Sequence, residues 1–201
     1  DMHGANLIKV DRTRNSWVKD VHSYRPTVNL GDFHSVSNGL ILAAVRFVTV
    51  SNCDFQKPQY RGGGGNGYMY RLFGQECLVM HSASHYSRHG FVFSNMHCSG
   101  NVILRCLSHC SGFGSNGKGS DHHQFLSQAN LVDGATVDAD YFEARYRNVG
   151  GPPAHGVTAV HSVFWNIKGL SCYSGKSYIV HSEQFSNPYF WAAFTLTGQW
   201  R

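Results

Sequence analysis

Seven basic side chains fall in turns or at strand ends of successive segments: Arg88, His89, His122, His123, Arg145, Arg147 and His155. Cleavage of an acidic polysaccharide by elimination needs a cation to neutralise a uronate carboxylate and a base to take the adjacent proton, and Arg and His supply both. The same patch would hold a carboxylated or sulfated glycan without reacting, or would simply bond turn carbonyls. Arg145 and Arg147, two residues apart, share a face if their segment is extended. Tyr86, next to Ser87-Arg88-His89-Gly90, offers a ring on which a sugar could stack. Tyr60, Tyr68, Tyr70, Tyr141 and Tyr146 are further rings of this kind.

Carboxylates are fewer: Asp121, Asp133, Asp138, Asp140 and Glu143. In Thr136-Val137-Asp138-Ala139-Asp140, strand alternation sets Asp138 and Asp140 on one face about 7 Å apart. That spacing suits an acid and base pair for glycoside hydrolysis, and it equally suits an ordinary solvated strand face. The catalytic candidates are therefore Arg88, His89, His122, His123, Asp138 and Asp140. Arg145, Arg147, His155 and Tyr86 are the substrate-binding candidates.

The repeat His97-Cys98-Ser99-Gly100 and His109-Cys110-Ser111-Gly112 carries ligand types for zinc. Neighbours on a strand face apart, however, so a disulfide among Cys98, Cys106 and Cys110 is the competing use. Cys53, Cys77 and Cys172 read as small fillers of a stacked interior. The even count of 6 Cys suits an oxidising compartment, and no metal or cofactor is assigned. His-Ser recurs at His22, His81, His161 and His181 without G-x-S-x-G, so it marks recurrent structural positions, not a hydrolytic triad.

Positioning these residues falls to short strands. The apolar runs are too short for helices, as in Cys77-Leu78-Val79-Met80, Val102-Ile103-Leu104 and Phe91-Val92-Phe93. Only 14% of residues are charged, while 22 are Gly and 13% aromatic, which excludes a helical bundle or coiled coil. A strand followed by a small or polar bend recurs, with Val18, Val50, Met80, Leu104, Val137 and Val180 as equivalent positions. A second set of strands lies between them, at Gly39-Leu40-Ile41-Leu42, Gly67-Tyr68-Met69-Tyr70, Gly90-Phe91-Val92-Phe93, His123-Gln124-Phe125-Leu126 and Gly156-Val157-Thr158-Ala159. Loops rich in Gly, Pro or Ser interrupt them at Gln56–Asn66, Ser111–Ser120 and Arg147–Ala154. Gly62 to Gly65 is a flexible loop, lacking the Lys-Ser/Thr and strand–helix context of a phosphate cradle. The pattern predicts an all-β, right-handed parallel β-helix of about six coils, a single domain over residues 1–201 or a piece of a longer chain.

The chain resembles the pectin-lyase-like β-helix superfamily. The resemblance is carried by Ser87-Arg88-His89-Gly90-Phe91, Ser99-Gly100-Asn101-Val102-Ile103-Leu104-Arg105-Cys106, Ser120-Asp121-His122-His123-Gln124-Phe125, and His155-Gly156-Val157 with Val163-Phe164-Trp165-Asn166. It implies a secreted or cell-surface protein that binds or processes an acidic polysaccharide along a lateral groove, by lyase chemistry first and hydrolysis second. The formal charge of +5 and a pI near 8.9 suit such a partner. Nucleic acid is not the expected partner, and no membrane is expected, since no apolar run approaches the roughly 20 residues of a bilayer span. Catalytic members usually carry an N-terminal capping helix, and none precedes Trp17. That favours the alternative: a structural or adhesive module that self-associates end to end through uncapped edges.

Overall fold

The structure, a computed structural model, describes residues 3–111, 118–148, 154–172 and 179–181. Among them every regular element is a strand. The strands stack in parallel as a β-solenoid of about 5 turns.

Three faces build each turn. The first stacks Asn6–Asp11, the start of Asn38–Ser51, Tyr68–Gln75, His89–Ser94, Ser120–Gln124, Phe142–Ala144 and Ile179–His181. The second stacks Arg14–Lys19, the end of Asn38–Ser51, Leu78–Met80, Val102–Leu104, Leu131–Asp133 and Val163–Trp165. The third stacks Asp54–Gln56, Ala83–His85, Leu107–His109, Thr136–Asp140 and Lys168–Cys172. Alternation sends one set of side chains inward, where identical positions meet from turn to turn. Val18, Val50, Val79, Ile103, Val132 and Phe164 form one such inward column. The expected equivalents Met80 and Leu104 are therefore one residue out of register, and Val137 and Val180 belong to other faces. On the first face Tyr70 stacks on Phe91 with centroids 4.6 Å apart, and Phe91 continues to Phe142.

The faces meet at corners where one residue takes the left-handed conformation. Asn52, His81, Arg105 and Asn166 do so between the second and third faces, with Gly134 in the same column. Glu76, Ala129 and His161 do so between the first and second, with Gly100. All but Asn166, which precedes the part-buried Ile167, are followed by a small buried residue: Cys53, Cys77, Ser82, Asn101, Cys106, Asn130, Ala135 or Ser162. The thiols of Cys53, Cys77 and Cys106 donate to the carbonyls of Ser51, Gln75 and Leu104, as Ser82 does to Met80 and Ser162 to Val160. Cysteine here does the work of serine. Cys98, Cys106 and Cys110 are all free, as are Cys53 and Cys77, which corrects the expected disulfide. The two His-Cys repeats also part company. His97 lies in a surface turn and Cys98 is buried against Asn101, whereas His109 ends a third-face strand.

One antiparallel pairing, Tyr146–Arg147 with Gly156–Val157, departs from the winding. It folds back beside the outward side of the first face, and that position makes the site.

Candidate functional site

On the first face the outward column runs Ile41, Arg71, Val92, Asp121, Glu143. Two carboxylates thus stand one turn apart, and both are buried. The hairpin brings Arg147 over them, and its guanidinium donates to Asp121 Oδ2 and to Glu143 Oε1. Arg145 reaches the same Glu143 oxygen at 3.1 Å. Burial pushes the Asp121 carboxyl up, but the facing imidazoles of His89 and His123 and the Arg147 guanidinium outweigh it and hold it far below the ordinary carboxylate range, so it is an anion.

Asp121 orients an imidazole. His123 Nδ1 lies 2.9 Å from Asp121 Oδ2 and 3.2 Å from the Arg147 guanidinium; with its proton given to the carboxylate, Nε2 is an acceptor, and the Tyr68 hydroxyl donates to it at 3.1 Å. Arg88 in turn donates to the Tyr68 oxygen at 3.2 Å. Arg71 lies 4.9 Å over the Tyr68 ring, and Arg88 also approaches that ring. The result is a Tyr–His–Asp relay with two guanidinium groups at its phenolic end. Burial pushes the Tyr68 hydroxyl above its ordinary range, with the two arginines opposing. His89 packs edge-on against both Tyr68 and His123. Its Nδ1–H donates to Gly119 O at 2.7 Å, and its buried Nε2 has no protein partner. Burial drives the His89 value well down, so it is neutral.

These groups surround a cavity of about 670 Å³ lined by Arg71, Arg88, Lys118, Arg145, Arg147 and Glu143, with His155 at its rim. Gly64 and Gly65 close one side. Described residues from all three loops anticipated from sequence thus line one cavity: Gly64 and Gly65, Lys118, and Arg147. Gly67, at φ +74, allows the chain to turn here, and a Cβ on it would lie 2.8 Å from Arg88 Cβ.

Of the expected residues, Arg88, His89, His123, Arg145, Arg147 and His155 come together. Four do not. His122 alternates with His123 on one strand, so it faces inward, stacks on Phe93 and meets Ser127 Oγ at 2.7 Å. Its burial lowers its value to about 3. Asp138 and Asp140 do not share a face, because Ala139 is left-handed at φ 47 and ends the alternation. Asp138 points outward toward His109 and Ser171. Asp140 points inward, accepts from Ser108 and the Tyr141 N–H, and is raised to about 6 by burial. Tyr86 stands at another corner, edge-on to His109 and beneath Lys57. Sequence reasoning passed over Arg71 and Lys118 and gave Tyr68 no role beyond a stacking ring. The spacing of Arg71 from Tyr68, with Asp121 two turns later, is a signal only once the register is known.

No family model, no curated protein and no solved structure matches this chain.

Proposed function

We propose that this cavity binds a carboxylated segment of an acidic polysaccharide, outside the cell or at its surface, and cleaves it by β-elimination in the manner of the pectin-lyase-like superfamily. The observation that carries the reading is the Tyr68–His123–Asp121 relay set among five cationic side chains, Arg71, Arg88, Lys118, Arg145 and Arg147. Arg88, Lys118 and Arg145 neutralise the uronate carboxylate, which acidifies the adjacent carbon. His123 takes the Tyr68 proton and becomes an imidazolium held by Asp121, while Arg88 and Arg71 steady the phenolate. The phenolate removes the proton next to the carboxylate, the carbon–oxygen bond to the departing sugar breaks, and a carbon–carbon double bond forms. The leaving oxygen takes that proton from Tyr68, and His123 returns its own proton to the phenolate, restoring both residues. No water is consumed, and one product carries an unsaturated end.

The test is absorbance of unsaturated ends with a panel of uronate polysaccharides. Wild type should generate them, Tyr68→Phe should lose at least 100-fold in rate while still binding, and Arg88→Ala with Lys118→Ala should lose both. New reducing ends without unsaturation would overturn elimination in favour of hydrolysis.

A second reading rests on the first turn. Among the described residues, Asn6–Asp11 and Arg14–Lys19 pair only with Asn38–Ser51. Leu7 is 48% exposed and Trp17 74%. An open parallel edge of this kind accepts another strand. We propose end-to-end association of copies through it as the non-catalytic role, tested by light scattering with Trp17→Lys: unchanged mass would remove the edge from the interface.

A further inference from the structure

On the third face, away from the polysaccharide cavity, Gln56, His85, His109 and Asp138 form an outward column in consecutive turns. The Nδ1 atoms of His85 and His109 face one another at 3.0 Å, with the rings at 78°. Each distal nitrogen has its own carboxylate: Asp54 Oδ1 stands 3.8 Å from His85 Nε2, and Asp138 Oδ2 stands 3.8 Å from His109 Nε2. Asp54 Oδ1 is itself buried and has no hydrogen-bond partner. Both carboxylates favour the tautomer with the proton on Nε2. With both protons there, the two Nδ1 lone pairs face one another across a gap that a shared cation bridges; a proton on either Nδ1 makes an N–H···N hydrogen bond instead.

We propose that His85 and His109 hold a divalent transition-metal ion, of the copper(II) or nickel(II) class, between their Nδ1 atoms. Carboxylates on the far nitrogens are the usual outer partners of metal-bound imidazoles: they fix the tautomer and raise ligand basicity. Separation chooses the class. With metal–nitrogen bonds of about 2.0–2.1 Å, nitrogens 3.0 Å apart subtend roughly 95°, close to neighbouring positions of a tetragonal ion and short of the tetrahedral zinc angle. Water completes the coordination, as both rings are partly exposed. The parallel register of Ala83–His85 with Leu107–His109 fixes the pair before the ion arrives. The other triad of suitable ligands, His89, Asp121 and His123, is already met by the Arg147 guanidinium, whose charge repels a cation.

The experiment is copper(II) titration of the full chain, followed by calorimetry and electron paramagnetic resonance. Wild type should take up one equivalent with a two-nitrogen signature. His85→Ala and His109→Ala should each lose that equivalent, and Asp54→Asn or Asp138→Asn should weaken it at least 10-fold. His3→Ala and His97→Ala are controls that leave this face intact, so the equivalent should survive both. On unaltered protein, copper should shield His85 and His109 from a histidine-acylating reagent, an outcome independent of variant folding. Acylation of both residues unchanged by copper, or an equivalent that survives both alanine variants, would overturn the proposal.

Discussion

Arg147 shows how a single residue carries a site. It answers two buried carboxylates that otherwise stand a turn apart with like charge. Removing one partner of such a group leaves an uncompensated buried charge, which costs about 3–5 kcal/mol. Arg147→Ala should therefore lower the urea midpoint strongly, and adding Glu143→Gln should recover part of the loss; equal midpoints for wild type and Arg147→Ala would contradict this. The site was partly legible at this scale. The two-residue spacing of Arg145 and Arg147 announced a shared face, and both do reach Glu143. The same alternation separates the adjacent His122 and His123. Tyr68, Arg71 and Lys118 stayed hidden because their roles depend on which turn lies above which. Asp140 adds a pH dependence. Its folded value of about 6 lies above the unfolded value of about 3.9. Its protonated form therefore contributes stability below pH 4 that is lost as pH rises through 6, amounting to at most about 3 kcal/mol. Asp140→Asn should gain on wild type between pH 4 and pH 8 in denaturant titrations, whereas parallel profiles would refute the assignment.

At the scale of the element, the corners decide what alternation can predict. Strands of three residues separated by one left-handed residue keep parity only within each strand. That is why the equivalence of Met80 and Leu104 falls one position from the inward residues Val79 and Ile103, and why simple alternation pairs Asp138 with Asp140. Nothing about Ala44, Ala129 or Ala139 marks it as left-handed in the text, yet each adopts it. An L-residue there costs about 1 kcal/mol more than glycine. Ala129→Gly should then raise stability by about 0.5–1 kcal/mol, where a loss would argue against this corner. Gly90 is the opposite case. A Cβ there would lie 2.4 Å from Ser108 Oγ and 2.7 Å from Ser120 Oγ. Those hydroxyls belong to a buried chain with Ser111 and Asp140, so they have little room to move. Gly90→Ala should cost about 1–3 kcal/mol, read from its thermal midpoint.

For the whole molecule, the repeat of short strands and small bends was enough to announce a stacked parallel fold. Repetition is a property of the text itself and survives errors of one residue in register. What lay beyond it was which flank of the solenoid gathers the cations, because that depends on a hairpin leaving the winding to cover the first face. Acid should loosen the assembly. His89 and His122 are held neutral by burial, so the stability they contribute is full above about pH 6.5 and falls as pH drops below it. The most direct test of the account is calorimetric binding of a uronate oligosaccharide, compared with its neutral, carboxyl-reduced counterpart, to wild type and to Arg88→Ala/Lys118→Ala. The account predicts that wild type binds the acidic form at least 10-fold more tightly and that the double variant loses this preference. Equal affinity of wild type for both sugars would contradict it.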